Sequence, residues 1–162
     1  MNPETNKDTE IKIENFQVFP KHVGVWEGEW LRLDAKGQEI ARFTAILTKR
    51  IVDNRWIQAN TYHYSDGNTV THNFVGTAIA QGVIAIVGID SPFGNFDSVA
   101  EEHGDNLIIF NVRNKVEGTL IGTETINLVR PDYCVRTSVG FGDDGNVKSF
   151  MIIKENRLKS NE

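Results

Sequence analysis

From Gly24 onward, turn signals break the chain at near-regular intervals, and that spacing constrains the fold more than any other feature. They are Asp34-Ala35-Lys36-Gly37, Asp53-Asn54-Arg55, Ser65-Asp66-Gly67-Asn68, Gln81-Gly82, His103-Gly104-Asp105-Asn106, Arg130-Pro131-Asp132 and Gly142-Asp143-Asp144-Gly145-Asn146. Gly, Asn and Asp tolerate the positive φ that tight hairpins need. The intervening segments are rich in Val, Ile, Thr and aromatic residues, which predicts strands near 24–33, 39–52, 56–65, 69–80, 83–89, 96–102, 107–113, 117–129, 133–141 and 147–157. Strands joined by tight turns run antiparallel, and a sheet of this many strands curls and closes to remove its edges. The expected fold is therefore all-β: one up-and-down antiparallel barrel of about 8–10 strands spanning residues 13–158. Ile13 to His22 places Ile13, Phe16 and Phe19 on one side and is halted by Pro20, which predicts a short helix or turn plugging one end. Residues 1–12 and 159–162 read as flexible tails.

Composition narrows what such a barrel does. With 162 residues, 40% of them hydrophobic, the chain suits a single core. A net charge of −5 and the absence of any long basic run give no footprint for nucleic acid or an anionic membrane surface. The opening MNPETNKDTE lacks the apolar run of a signal peptide, and no stretch has the length of a membrane span, so a cytoplasmic protein is expected. Cys134, the only cysteine, excludes an internal disulfide. His22, His63, His72 and His103 are scattered without a ligand spacing, and no nucleotide loop or serine elbow is present, so neither metal nor cofactor is expected.

The first strand carries Gly24-Val25-Trp26 within GVWEGEWLRLDAKG, and the last ends in Glu155-Asn156-Arg157. These features resemble the calycin superfamily of lipocalin-like barrels. There, Gly-x-Trp opens the first strand, the Trp closes the barrel floor and a late Arg packs across it. The resemblance implies that Trp26 and Arg157 form that pair. Together with RWIQANTYHYSDG (55–67), the chain is similar to the DUF3598 group and, more distantly, to the phycobiliprotein lyases. Nitrobindin-like barrels share the Gly-x-Trp but hold haem through a late histidine. The last histidine here is His103.

The strand at 56–65 sets Trp56, Gln58, Asn60, Tyr62 and Tyr64 on one face and Ile57, Ala59, Thr61 and His63 on the other. If the first face points inward, it lines a pocket with aromatic walls and a few hydrogen-bonding groups. If it points outward, the aromatics belong to the surface or to a homodimer contact. His72 interrupts the apolar row Val70, Phe74, Gly76 and Ala78, either as a satisfied core histidine or as a proton-transfer group. Glu124 and Arg136 are charges inside apolar strands expected to be neighbours. They either pair with each other or anchor a polar ligand head. Arg42 and Arg50 share a face read as solvated, and Glu27 and Glu29 are placed at the surface. In the loop Asp90–Asn95, Phe93 either tucks into the nearest core or closes a cavity mouth.

Two functions remain open. One is a barrel that binds an apolar or amphipathic small molecule, with walls from Trp30, Trp56, Tyr62, Phe74 and Phe141 and orienting groups from Gln58, Asn60 and Arg136. The other is a cofactor-independent isomerase or cyclase in the same cavity, with His72, Tyr62, Glu124 or Arg136 moving a proton or stabilising an oxyanion. The distant similarity to the lyases adds bilin handling between the two.

Overall fold

Turn chemistry sets the architecture. Asp53 and Asn54 both take positive φ (49° and 59°), the geometry of a two-residue hairpin whose twist matches its strands. Gly37, Gly67, Gly82, Gly104, Gly118 and Gly145 take positive φ at other chain reversals. In the computed structural model, which describes residues 10–90 and 93–159, ten antiparallel strands follow one another around a closed barrel. They are β1 (Gly24–Asp34), β2 (Glu39–Val52), β3 (Arg55–His63), β4 (Thr69–Ala80), β5 (Val83–Gly88), β6 (Phe96–His103), β7 (Leu107–Asn114), β8 (Leu120–Arg130), β9 (Tyr133–Phe141) and β10 (Val147–Lys159). β1 closes the ring by pairing on both sides, so that Trp26 faces Leu47 of β2 and Arg157 of β10. The expected up-and-down barrel is the observed fold.

Several strand limits differ from expectation by one to three residues, two of them for evident local reasons. β8 starts at Leu120 rather than 117 because Asn114 folds the preceding turn, its Oδ1 accepting from the backbone N–H groups of Val116 and Glu117. β3 ends at His63 because Tyr64 N–H already donates to Asn68 O in the next turn. Register shifts near Ile79, Ile121, Val129 and Lys148 insert an extra residue against the partner strand and change which side chains face inward.

The N-terminal segment forms two 3-10 turns, Ile13–Asn15 and Phe19–His22, with Pro20 at the start of the second. They seal one end of the barrel, where Ile13, Phe16, Val18 and Phe19 pack on Trp56, Ile84, Ala100 and Ile108. Glu102 and Asn54 help bolt this plug down. The Glu102 carboxylate accepts backbone N–H groups from Gln17 (3.0 Å), Val18 (2.6 Å) and Phe19 (2.7 Å). Asn54, already shaping its hairpin, accepts from Ile13 N–H and donates to Ile11 O. Ile11, which was expected in the tail, is thus tied to the barrel. Positions 1–9 and 160–162 of the expected tails, and Ser91 and Pro92 of the expected lid loop, lie outside the described residues.

The Gly-x-Trp feature is seated beside the plug. Trp26 is fully buried, its indole N–H donates to His22 O at 2.9 Å, and the Arg157 guanidinium carbon stands 4.4 Å from the ring centroid. Arg157 also donates to the carbonyls of Val23, Lys21 and Pro131, so one side chain joins the first strand, the plug and the β8–β9 turn. No helix among the described residues is long and apolar enough to cross a membrane.

Candidate functional site

The strand with two candidate faces, β3, turns its aromatic-amide face inward. Trp56, Gln58, Asn60 and Tyr62 all line a central cavity of about 450 Å³, together with Trp30, Phe74, Phe110 and Met151. That volume lies in the range of small-molecule sites. The inward polar groups satisfy one another along the strand. Trp56 Nε1 donates to Gln58 Oε1 (3.0 Å), Gln58 Nε2 to Asn60 Oδ1 (2.9 Å) and Asn60 Nδ2 to Tyr62 Oη (3.1 Å). The spacing of two residues per repeat on one strand face makes this ladder possible. All its bonds run one way, so the chain ends on the Tyr62 hydroxyl, whose own proton donates to none of the described residues. Burial pushes the Tyr62 pKa above the usual tyrosine value, which keeps the phenol protonated.

Tyr62 stands in an aromatic cluster, with ring centroids 5.1 Å from Trp30 and 5.8 Å from Phe43. An ionic cluster meets the same cavity. Arg136 donates through Nε and Nη2 to both oxygens of Glu124 (3.1 and 2.9 Å), and through Nη1 to Glu155 Oε1 at 2.9 Å. Lys49 Nζ stands 3.6 Å from Glu155 Oε2. All four groups are buried: Arg136 is 6% exposed, Glu124 9%, Lys49 3% and Glu155 0%. Burial opposes the charge on Arg136, but the Glu124 and Glu155 carboxylates outweigh it and hold the pKa well above the usual value. Burial also works against ionised Glu155, and Lys49 and Arg136 outweigh that too, so its pKa lies below the ordinary range. Two cations and two carboxylates therefore balance inside the barrel. The Arg136 guanidinium carbon also lies 5.4 Å from the Trp30 ring centroid.

The expected pairing of Glu124 with Arg136 is present as a fork of two hydrogen bonds, the strongest geometry available to those groups. Sequence reasoning missed Lys49 and Glu155. The signal was available: Lys49 alternates with Ala45 and Leu47, and Glu155 with Met151 and Ile153, on the core-facing parity of their strands. It also missed His22, which sits on the plug rather than a strand, is 1% exposed and lines the cavity.

Two site candidates fall elsewhere. Phe141 is not among the lining residues. It follows Gly140, which does line the cavity, so strand alternation turns it to the other face. His72 is likewise not a lining residue; its ring packs edge-on against Phe93 at 4.7 Å and lies 5.8 Å from Tyr62. Phe93 itself lines the cavity and contacts Phe74 at 5.3 Å. Its seat depends on Gly88, where a Cβ would fall 2.4 Å from the Phe93 Cβ. Arg42 and Arg50 are on the outer face, with Arg42 bonded to Glu29 and Glu39. The Cys134 thiol is buried, and burial pushes its pKa up to about 11, which makes it a poor nucleophile.

A family model described as domain of unknown function DUF3598, N-terminal, matches residues 12–160. The fold is similar to that of a DUF3598 protein of unknown function from Nostoc punctiforme PCC 73102 (TM-score 0.64, 16% identity, 86% of this chain against 49% of that one). The chain thus spans about half the length of that protein. It is also similar to the S-type phycobiliprotein lyase CPES from Guillardia theta, at TM-score 0.63 and 14% identity over 88% of this chain and 92% of the lyase. No functionally curated protein matches the chain.

Proposed function

The chain belongs to the DUF3598 family, and from that premise and the cavity geometry we propose that it binds an amphipathic small molecule inside the barrel, in the cytoplasm. The carrying observation is the one-way ladder on β3, which ends on a Tyr62 O–H that donates to none of the described residues, in an aromatic-walled cavity of about 450 Å³. An apolar body fits the walls of Trp30, Trp56, Phe74 and Phe110, and a polar group of the ligand accepts from Tyr62. Arg136 is already held by two carboxylates, so it supports the site more than it offers a free cation. The fold it shares with a phycobiliprotein lyase makes an open-chain tetrapyrrole the first ligand class to test, and bilin transfer the second reading.

Titration of tryptophan fluorescence with biliverdin, retinol and oleate is the test. The proposal expects saturable quenching by at least one of them, abolished by Ser138→Phe, which fills a lining position. Saturable quenching by none of the three would overturn it. For the second reading, the protein loaded with biliverdin would pass the pigment to a bilin-free phycobiliprotein subunit faster than free pigment is taken up. Equal rates would leave binding alone.

A further inference from the structure

The end of the cavity away from the plug is marked by a charged residue. On β1 the core-facing parity runs Trp26, Gly28 and Trp30, all buried, and the next residue on it is Arg32. Arg32 lines the same cavity as Trp30 yet is exposed, so the cavity reaches solvent there. Trp26 touches the plug through its bond to His22 O, and Arg32 lies six residues further along the strand, about 20 Å away at 3.3 Å per residue. Phe96 and Val112 also line the cavity, four residues along β6 and β7 from the Ala100 and Ile108 that pack on the plug.

Arg32 differs from the other charged residues of the wall. Lys49, Glu124 and Arg136 are committed to the ionic cluster, whereas Arg32 makes no ion pair or side-chain hydrogen bond among the described residues. The carboxylates nearest in the chain are engaged elsewhere. Asp34 Oδ1 accepts from the N–H groups of Lys36 and Gln38 in its own hairpin, and Glu39 holds Arg42. Across the wall, Arg32 stands opposite Met151 of β10, and Ser149, two residues before Met151, stands opposite Gly140 of β9. Ser149 is therefore the diagonal neighbour of Arg32, about 7–8 Å away and within reach of a long side chain. Arg32, Gly140, Ser149 and Met151 all line the one cavity. A Cβ at Gly140 would lie 2.8 Å from Ser149 Oγ, so the bare backbone there gives the hydroxyl its place on the wall.

The charges decide where an acid would sit. The interior cations are already balanced by Glu124 and Glu155, so a carboxylate carried inward would be buried without a free counter-ion. At the mouth it keeps part of its hydration and meets an unpartnered guanidinium, whose fork of N–H groups matches two carboxylate oxygens. One free cation suits a monoanion, and a phosphate dianion would leave a charge unmatched. Given the small-molecule reading of the cavity, on which this step rests, we infer that the mouth is a carboxylate subsite formed by Arg32 with Ser149. The ligand is then an amphipathic acid seated with its apolar body inward and its acid group at the rim, apart from the polar group that accepts from Tyr62.

Decanoate and 1-decanol, which share a chain and differ in the head, test this by tryptophan fluorescence. Arg32→Gln is expected to weaken decanoate about three- to tenfold and to leave 1-decanol unchanged. Arg32→Glu should weaken decanoate further. Arg50→Gln, which removes an exposed cation from the outer face of β2, should change neither probe and so controls for net charge. In the wild type, added salt should weaken decanoate more than 1-decanol, because an exposed pair is screened. Decanoate should also shift the side-chain ¹⁵Nε resonance of Arg32 where 1-decanol does not, and that wild-type shift decides if an Arg32 variant fails to fold. Equal loss of both probes in Arg32→Gln, no loss of decanoate, or an Arg32 resonance that decanoate leaves unmoved would overturn the subsite and leave the cavity reading standing. No saturable binding of either probe would overturn both.

Discussion

At the scale of single residues, the interior is a set of matched charges whose loss is costly. Arg136→Met removes the partner of both Glu124 oxygens and one partner of Glu155, leaving two buried carboxylates with Lys49 alone nearby. Breaking such a cluster typically costs about 3–5 kcal/mol. Denaturant unfolding should show that loss for Arg136→Met, and the double variant Glu124→Gln with Arg136→Met should lose less than the sum of the single changes. Tyr62→Phe makes the opposite case. It removes the terminal donor of the ladder and one acceptor for Asn60, so the fold should survive while ligand affinity falls about five- to tenfold, as read by the same fluorescence titration. His22 sets a pH dependence. Its folded pKa is depressed, so the unfolded chain binds the proton more readily and the stability it contributes is complete above 6.5 and lost as pH falls toward the folded value. Thermal unfolding measured between about pH 7 and 5 should show stability falling with acidification, at no more than about 1.4 kcal/mol per pH unit from this group. His22→Gln should flatten that slope; an unchanged slope would mean that His22 does not titrate between the two states.

At the scale of elements, the plug hangs on long-range side-chain contacts, three of them made by one carboxylate. Glu102 gathers three consecutive backbone N–H groups that have no other acceptor among the described residues, across more than eighty residues of sequence. Glu102→Ala should therefore loosen the plug before the barrel. Amide exchange at Val18 and Phe19 should accelerate about 10–100-fold, with exchange in β1 and β10 unchanged, given about 1.5–3 kcal/mol for a hydrogen bond to a charged group. The elements were also the most legible part of the sequence, because Asp53-Asn54 and the Gly turns state their backbone geometry in residue type. The facing of β3 was not legible. Gln58 and Asn60 look unfit for an interior until each is seen to bond its neighbour two residues along, and hydropathy does not carry that pairing. The bulge at Ile121 brings it to the cavity beside Gly122, an inversion that strict alternation does not foretell. Lys49 and Glu155 lie on the apolar parity of their strands, but a charge at a core position is accounted for only by its partner on another strand, which one strand's sequence does not state. His22 carried no signal at all, since its role depends on the plug being folded against β1 and β10.

At the scale of the whole molecule, closure leaves no free sheet edge, since β1 pairs with both β2 and β10. The interior that closure creates is asymmetric. Its plugged end is apolar, a charge-balanced cluster from β2, β8, β9 and β10 stands on one side, and aromatic residues line much of the remaining wall. Such a space suits a molecule with an apolar body and a defined polar end. Native mass spectrometry of the wild-type protein isolated from its own cells tests this most directly. The account predicts a stoichiometric adduct of one amphipathic small molecule that is absent from Ser138→Phe prepared in the same way. A protein isolated without any adduct, and showing no mass shift with biliverdin, retinol or oleate in excess, would contradict it.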